Sequence, residues 1–96
     1  MNETNDKKAF EIANETAKKN EYVILAQYYL DGLYWFLPFP KKYLGKKKVE
    51  LYDLGAYTVD PSNNYELIVR GILDYTDAID NAKEKREIDV PKVGKS

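Results

Sequence analysis

The chain predicts an α+β fold in the order helix, three-stranded antiparallel sheet, helix, with both helices on one sheet face. Three observations carry this. Ala9, Phe10, Ala13 and Ala17 recur at helical spacing near the start. Two β-branched and aromatic runs flank Asp31-Gly32. A second helical pattern follows Asp60-Pro61.

The first helix is expected over residues 5–19. Glu3 and Asp6 stand at its start and Lys18 and Lys19 at its end, as the helix macrodipole favours. Glu15 and Lys19 make a favourable i,i+4 pair, and Asn20 is a reasonable stop. Tyr22–Leu30 and Leu33–Phe39 favour strands. Asp31-Gly32 between them signals a tight hairpin in which Leu30 faces Leu33 and Tyr28 faces Trp35. Pro38 and Pro40 are expected to end the second strand, because neither can donate to a ladder.

Lys41 to Lys48 is then the connection to a third strand. Val49–Leu54 alternates apolar and acidic residues, as a half-buried edge strand does, and Gly55 suggests a bend before Ala56–Val59. Asp60 as N-cap and Pro61 at the first helical position open a second helix running to about Lys85. Tyr65, Ile68, Ile72, Tyr75, Ile79 and Ala82 share one face of that helix. Asp74, Asp77, Asp80 and Glu84 share the other.

Ninety-six residues make one domain, expected over 1–86, with a loose tail over 87–96. A chain of this size buries about 60–65% of its unfolded surface, so its stability is marginal. Nine tyrosines are many for the length, and tyrosine suits half-buried sheets and interfaces. The net charge of −1 excludes a histone-like coat and a strongly acidic DNA mimic. The uncharged run Tyr22–Leu30 stops at Asp31, far short of a membrane span. The polar N-terminus shows no signal-peptide core, so a cytoplasmic location is expected. Lysine far outnumbers arginine and asparagine is frequent, a coding bias of AT-rich genomes such as those of low-GC bacteria, their phages and plasmids.

Histidine and cysteine are both absent. This removes the usual general base, the Ser-His and Cys-His nucleophile pairs, disulfides and nearly all transition-metal sites. No catalytic residue, metal or cofactor is therefore expected. Asp60, Ser62 and Asn64 imitate the opening of a calcium loop. Tyr65 then stands where glycine is needed, and Gly71 where the bidentate glutamate belongs. Gly45-Lys46-Lys47-Lys48 lacks the upstream glycine and the hydroxyl of a P-loop.

Two constellations remain. Tyr34, Trp35 and Phe36 alternate across a strand, which puts Trp35 on one face and its neighbours on the other. If only one face lies under the helices, the other displays aromatic surface, the mark of a partner site or of a homo-oligomer that covers it. Tyr34, Trp35, Phe36 and Tyr43 are accordingly the expected protein-binding residues. Lys41, Lys42, Lys46, Lys47 and Lys48 form the one concentrated charge block, uninterrupted by any acid. Its functional reading is a contact with phosphate, with Tyr43, Trp35 and Phe39 placed to stack on unpaired bases. Its plainer reading is a solvated loop that protects a strand edge. Another protein is thus the expected partner, and nucleic acid is the alternative.

The helix–strand–strand–strand–helix order over residues 5–85 resembles the double-stranded-RNA-binding domain in topology. That resemblance implies a lysine cluster at the start of the second helix. Pro61-Ser62-Asn63-Asn64-Tyr65-Glu66 stands there instead, with no lysine.

Overall fold

A computed structural model describes residues 3–43 and 55–88. The first helix, α1, spans Glu3–Lys19. It ends as Asn20 and Glu21 donate back to Ala17 and Lys18, with Glu21 in the left-handed region at φ 61°. The hairpin follows as β1 (Tyr22–Leu30) and β2 (Leu33–Pro40). Asp31 (φ 49°) and Gly32 (φ 91°) both take positive φ, the geometry of a two-residue turn matched to strand twist. Leu30 lies opposite Leu33, and Tyr28 opposite Trp35, in the expected register.

β2 ends at Pro40, one residue past the expected Phe39, and carries both prolines within it. Two features accommodate them. The register slips between Ile24 and Ala26, so Leu25 is a bulge residue next to the Ile24–Pro38 pair, and it is turned out to solvent. On its other side, among the described residues, β2 pairs with the next strand only at Tyr34–Phe36, so the prolines interrupt no described ladder there.

β3 spans Gly55–Asp60. The strand expected over Val49–Leu54 lies outside the described residues. After β3 the chain departs from the expected long helix. Asp60 does cap, its carboxylate accepting from the Ser62 backbone N–H at 3.0 Å, but what it caps is one 3-10 turn, Pro61–Asn63. Asn64 (φ 58°) and Tyr65 (φ 57°) then turn left-handed and reverse the chain. Glu66–Gly71 forms β4, antiparallel to β3, as the run Leu67-Ile68-Val69 favours. Only Ile72–Asn81 is helical, as α2. Gly71 is its N-cap rather than an interior residue, and its N–H donates to the Asp74 carboxylate at 3.3 Å.

The chain closes with β5 (Lys85–Glu87), which pairs with β1. Glu87 and Ile88 therefore do not belong to a loose tail: Ile88 is buried, and its N–H donates to Gln27 O at 3.1 Å. Residues 89–96 lie outside the described range. Among the described residues the sheet has five antiparallel strands in the order β4-β3-β2-β1-β5, not three. With β4 and β5 added, the topology is not that of the double-stranded-RNA-binding domain.

The helices cover opposite faces of the sheet. α1 lays Ala9, Phe10, Ala13 and Ala17 against Ile24, Tyr34, Phe36, Tyr57 and Val59. α2 lays Tyr75, with Ile72 and Ile79, against Leu30, Trp35 and Ala56. The expectation of both helices on one face fails because β4 is a strand. The chain reaches α2 from the sheet's edge and folds back over the uncovered side.

Candidate functional site

The expected aromatic surface is core. Tyr34, Trp35 and Phe36 are all buried, with Phe36 at 0% exposure. Phe36 meets Phe10 of α1 at 6.3 Å between ring centroids, and Trp35 meets Tyr75 of α2 at 6.0 Å. Alternation puts them on two faces as expected, but both faces carry a helix, so the exposed aromatic surface expected there is covered within the chain's own fold. Tyr43 does reach the surface, on a 3-10 turn beyond β2, where it packs edge-on to Phe39 at 6.4 Å. Lys41 and Lys42 are exposed on the same turn. Lys46, Lys47 and Lys48 lie outside the described residues.

The Tyr34 hydroxyl has a different role. It donates to the Asp6 carboxylate at 2.8 Å, and Arg86 of β5 grips the same carboxylate through two bonds of 2.7 and 3.1 Å. Burial alone would raise the Asp6 pKa, but the bonds from Arg86 and Tyr34 outweigh it and hold the group below its ordinary value. Burial, with the bond to Asp6 next, raises the Tyr34 pKa. The spacing signal for Asp6 was present: it lies on the stripe of Ala9, Phe10, Ala13 and Ala17, and a carboxylate on a buried stripe demands a partner. All three groups have partners, and they tie α1 to β2 and β5. The arrangement is a structural latch.

A second latch holds the hairpin tip. The Asp31 carboxylate accepts from the backbone N–H groups of Glu84 (2.8 Å) and Lys83 (3.1 Å). Those two bonds lower its pKa. Gln27 adds a side-chain bond to Ile88 O at 3.3 Å. Three short connections thus fix the edge strand β5.

The opposite edge is different. Among the described residues β4 pairs with β3 alone, so its outer backbone groups face no strand. Val69 is 64% exposed and Ile68 39%, and Leu73, at the start of α2, is 75% exposed. Among the described residues, three of the five exposed large apolar side chains thus fall within six residues, at the junction of β4 and α2. β5 is short and reads Lys85-Arg86-Glu87, a charged sequence that discourages strand addition. β4 is twice as long and carries charge only at Glu66 and Arg70. Sequence reasoning missed this edge because it assigned Ile68 to a helix face. The unbroken triplet Leu67-Ile68-Val69 ahead of Gly71 was the signal for a strand.

Among the described residues no group of three or more aspartates and glutamates could hold a metal ion. No described helix is long and apolar enough to cross a membrane. No protein-family model, curated protein or solved structure matches this chain.

Proposed function

We propose that this chain is a small, non-enzymatic protein-binding module whose docking element is the β4 edge. The carrying observation is the coincidence of a strand edge that no strand pairs among the described residues with exposed Ile68 and Val69. Such an edge offers main-chain hydrogen bonds for affinity and alternate side chains for selectivity, the mode of strand addition. The sequence supports the same reading from the other direction, since histidine and cysteine, the usual general base and thiol nucleophile, are absent.

The test places a photo-reactive side chain at residue 69, and at exposed Glu11 on α1 as control. Adducts are expected from position 69 only, and they should disappear when Ile68→Lys is added. Ile68 is 39% exposed, so Ile68→Lys should cost the fold about 1 kcal/mol of apolar burial, and circular dichroism should confirm that the variant remains folded. Adducts equally abundant from position 11 would count against the edge.

A second reading has its own observation. Lys41 and Lys42 are exposed beside Tyr43, with the Lys42 ammonium 5.3 Å from its ring centroid. Phosphate contact by these lysines, with a base stacked on Tyr43, would be weakly sequence-specific and steeply salt-dependent. In a low-salt mobility-shift experiment, changing Lys41, Lys42, Lys46, Lys47 and Lys48 to glutamine should then abolish binding to single-stranded nucleic acid. Equal mobility with and without the five lysines ends this reading.

A further inference from the structure

We infer that β4 pairs with itself: two copies of this chain join β4 to β4, antiparallel, about a two-fold axis through Ile68. This rests on the reading of β4 as the docking element and names its occupant. The five strands of each copy would run into one continuous sheet of ten.

The register follows from symmetry and charge. In an antiparallel ladder, directly opposed residues share a face. Glu66, Ile68 and Arg70 share one, lying opposite Asp60, Thr58 and Ala56 of β3. With the axis at Ile68, that residue meets its own copy, Leu67 meets Val69 twice, and Glu66 meets Arg70 twice. The two charges on the strand are therefore satisfied by each other, and exposed Ile68 and Val69 are met by Ile68 and Leu67 of the second copy. Moving the axis to Leu67 sets Glu66 against Ile68. Moving it to Val69 sets Arg70 against Ile68. Both alternatives place a charge against an isoleucine, a mismatch that costs affinity.

The charged groups are available for this. Arg70 donates through Nε to Thr58 Oγ1 at 3.3 Å, which leaves both terminal nitrogens of its fork without a protein partner among the described residues. Glu66 accepts from Asn63 at 2.6 Å through one oxygen, and the other oxygen makes no bond among the described residues. The only ion pair among the described residues is Asp6–Arg86, so neither Glu66 nor Arg70 is neutralised within its own chain. An isologous contact needs such a self-complementary strip, and β4 is one. β5 is not: it is short, and Arg86 is committed to Asp6.

The test is the oligomeric state of the full chain by sedimentation, with folding checked by circular dichroism. Wild type should be a dimer. Glu66→Arg or Arg70→Glu alone sets like charges opposite each other twice and should weaken the dimer by at least about tenfold. The double reversal should restore it. Independently, Ile68→Cys should form an inter-chain disulfide on mild oxidation. Opposed Cα atoms in such a ladder stand about 4.5–5.5 Å apart, within the bridging range of about 4.4–6.8 Å, and the chain has no cysteine of its own to compete. A monomeric wild type overturns the inference, as does a dimer indifferent to both reversals or one the double reversal fails to rescue. If the wild type is monomeric but position 69 cross-links to a different protein, self-pairing fails while the docking reading survives. If position 69 yields no adduct of any kind, both fail.

Discussion

Phe36→Ala is expected to cost about 3–5 kcal/mol, a large share of the total stability of about 5–15 kcal/mol typical of a small domain. The side chain has no exposure, sits mid-way along the central strand β2 and packs on Phe10. Its removal leaves a cavity between a sheet and a helix, and neither can collapse far to fill it. For a domain of this size the melting temperature should drop on the order of 20 °C. Phe36→Leu, which keeps most of the volume, should lose much less. A thermal scan of the two variants checks this; a loss under about 1 kcal/mol for alanine would mean that Phe36 is not in the core.

The second large effect belongs to Asp6. Asp6→Ala strands the Tyr34 hydroxyl and the Arg86 guanidinium, and should cost about 3 kcal/mol, the low end for a broken buried pair because Arg86 keeps some contact with water. The effect depends on pH with a defined sign. Folding lowers the Asp6 pKa below its ordinary 3.8, so the unfolded chain takes up the proton first as pH falls. The contribution is complete above that ordinary value and is lost as pH falls through the folded one. Tyr34 acts at the other extreme. Folding raises its pKa above the ordinary 10, so the unfolded chain releases the proton first and stability declines as pH rises past 10. Urea midpoints for wild type and Asp6→Asn should therefore differ most near neutrality and converge towards acid. A constant difference from neutral to strongly acidic pH would contradict the assignment of a charged Asp6.

What could be read from residues alone was whatever local chemistry decides. Asp31-Gly32 admits one kind of turn, so the hairpin and its register were legible. The stripe of Ala9, Phe10, Ala13 and Ala17 admits one packing face, so α1 was legible too. Ile72, Tyr75 and Ile79 share the buried face of α2 as their spacing predicts. The failure began at Pro61, where capping chemistry serves a single turn as readily as a helix. Asn64 and Tyr65 turn left-handed there, a conformation uncommon for tyrosine. Taking Glu66–Gly71 as helix then had consequences for the site. It removed the edge strand, moved α2 to the wrong face and left one sheet face, with its aromatic side chains, apparently uncovered. β5 was illegible for another reason. Lys85-Arg86-Glu87 has no strand character of its own, and it is extended because Asp31, Gln27 and Asp6 hold it against β1.

The Asp6–Arg86 latch also bears on biosynthesis. Its two halves stand eighty positions apart in the chain. A nascent polypeptide emerging from the ribosome can coil α1 early, yet that helix carries a carboxylate whose partner is still being translated. The α1 layer can dock fully only after Arg86 clears the exit tunnel, so the first helix made waits on the last described strand of the sheet before its packing closes.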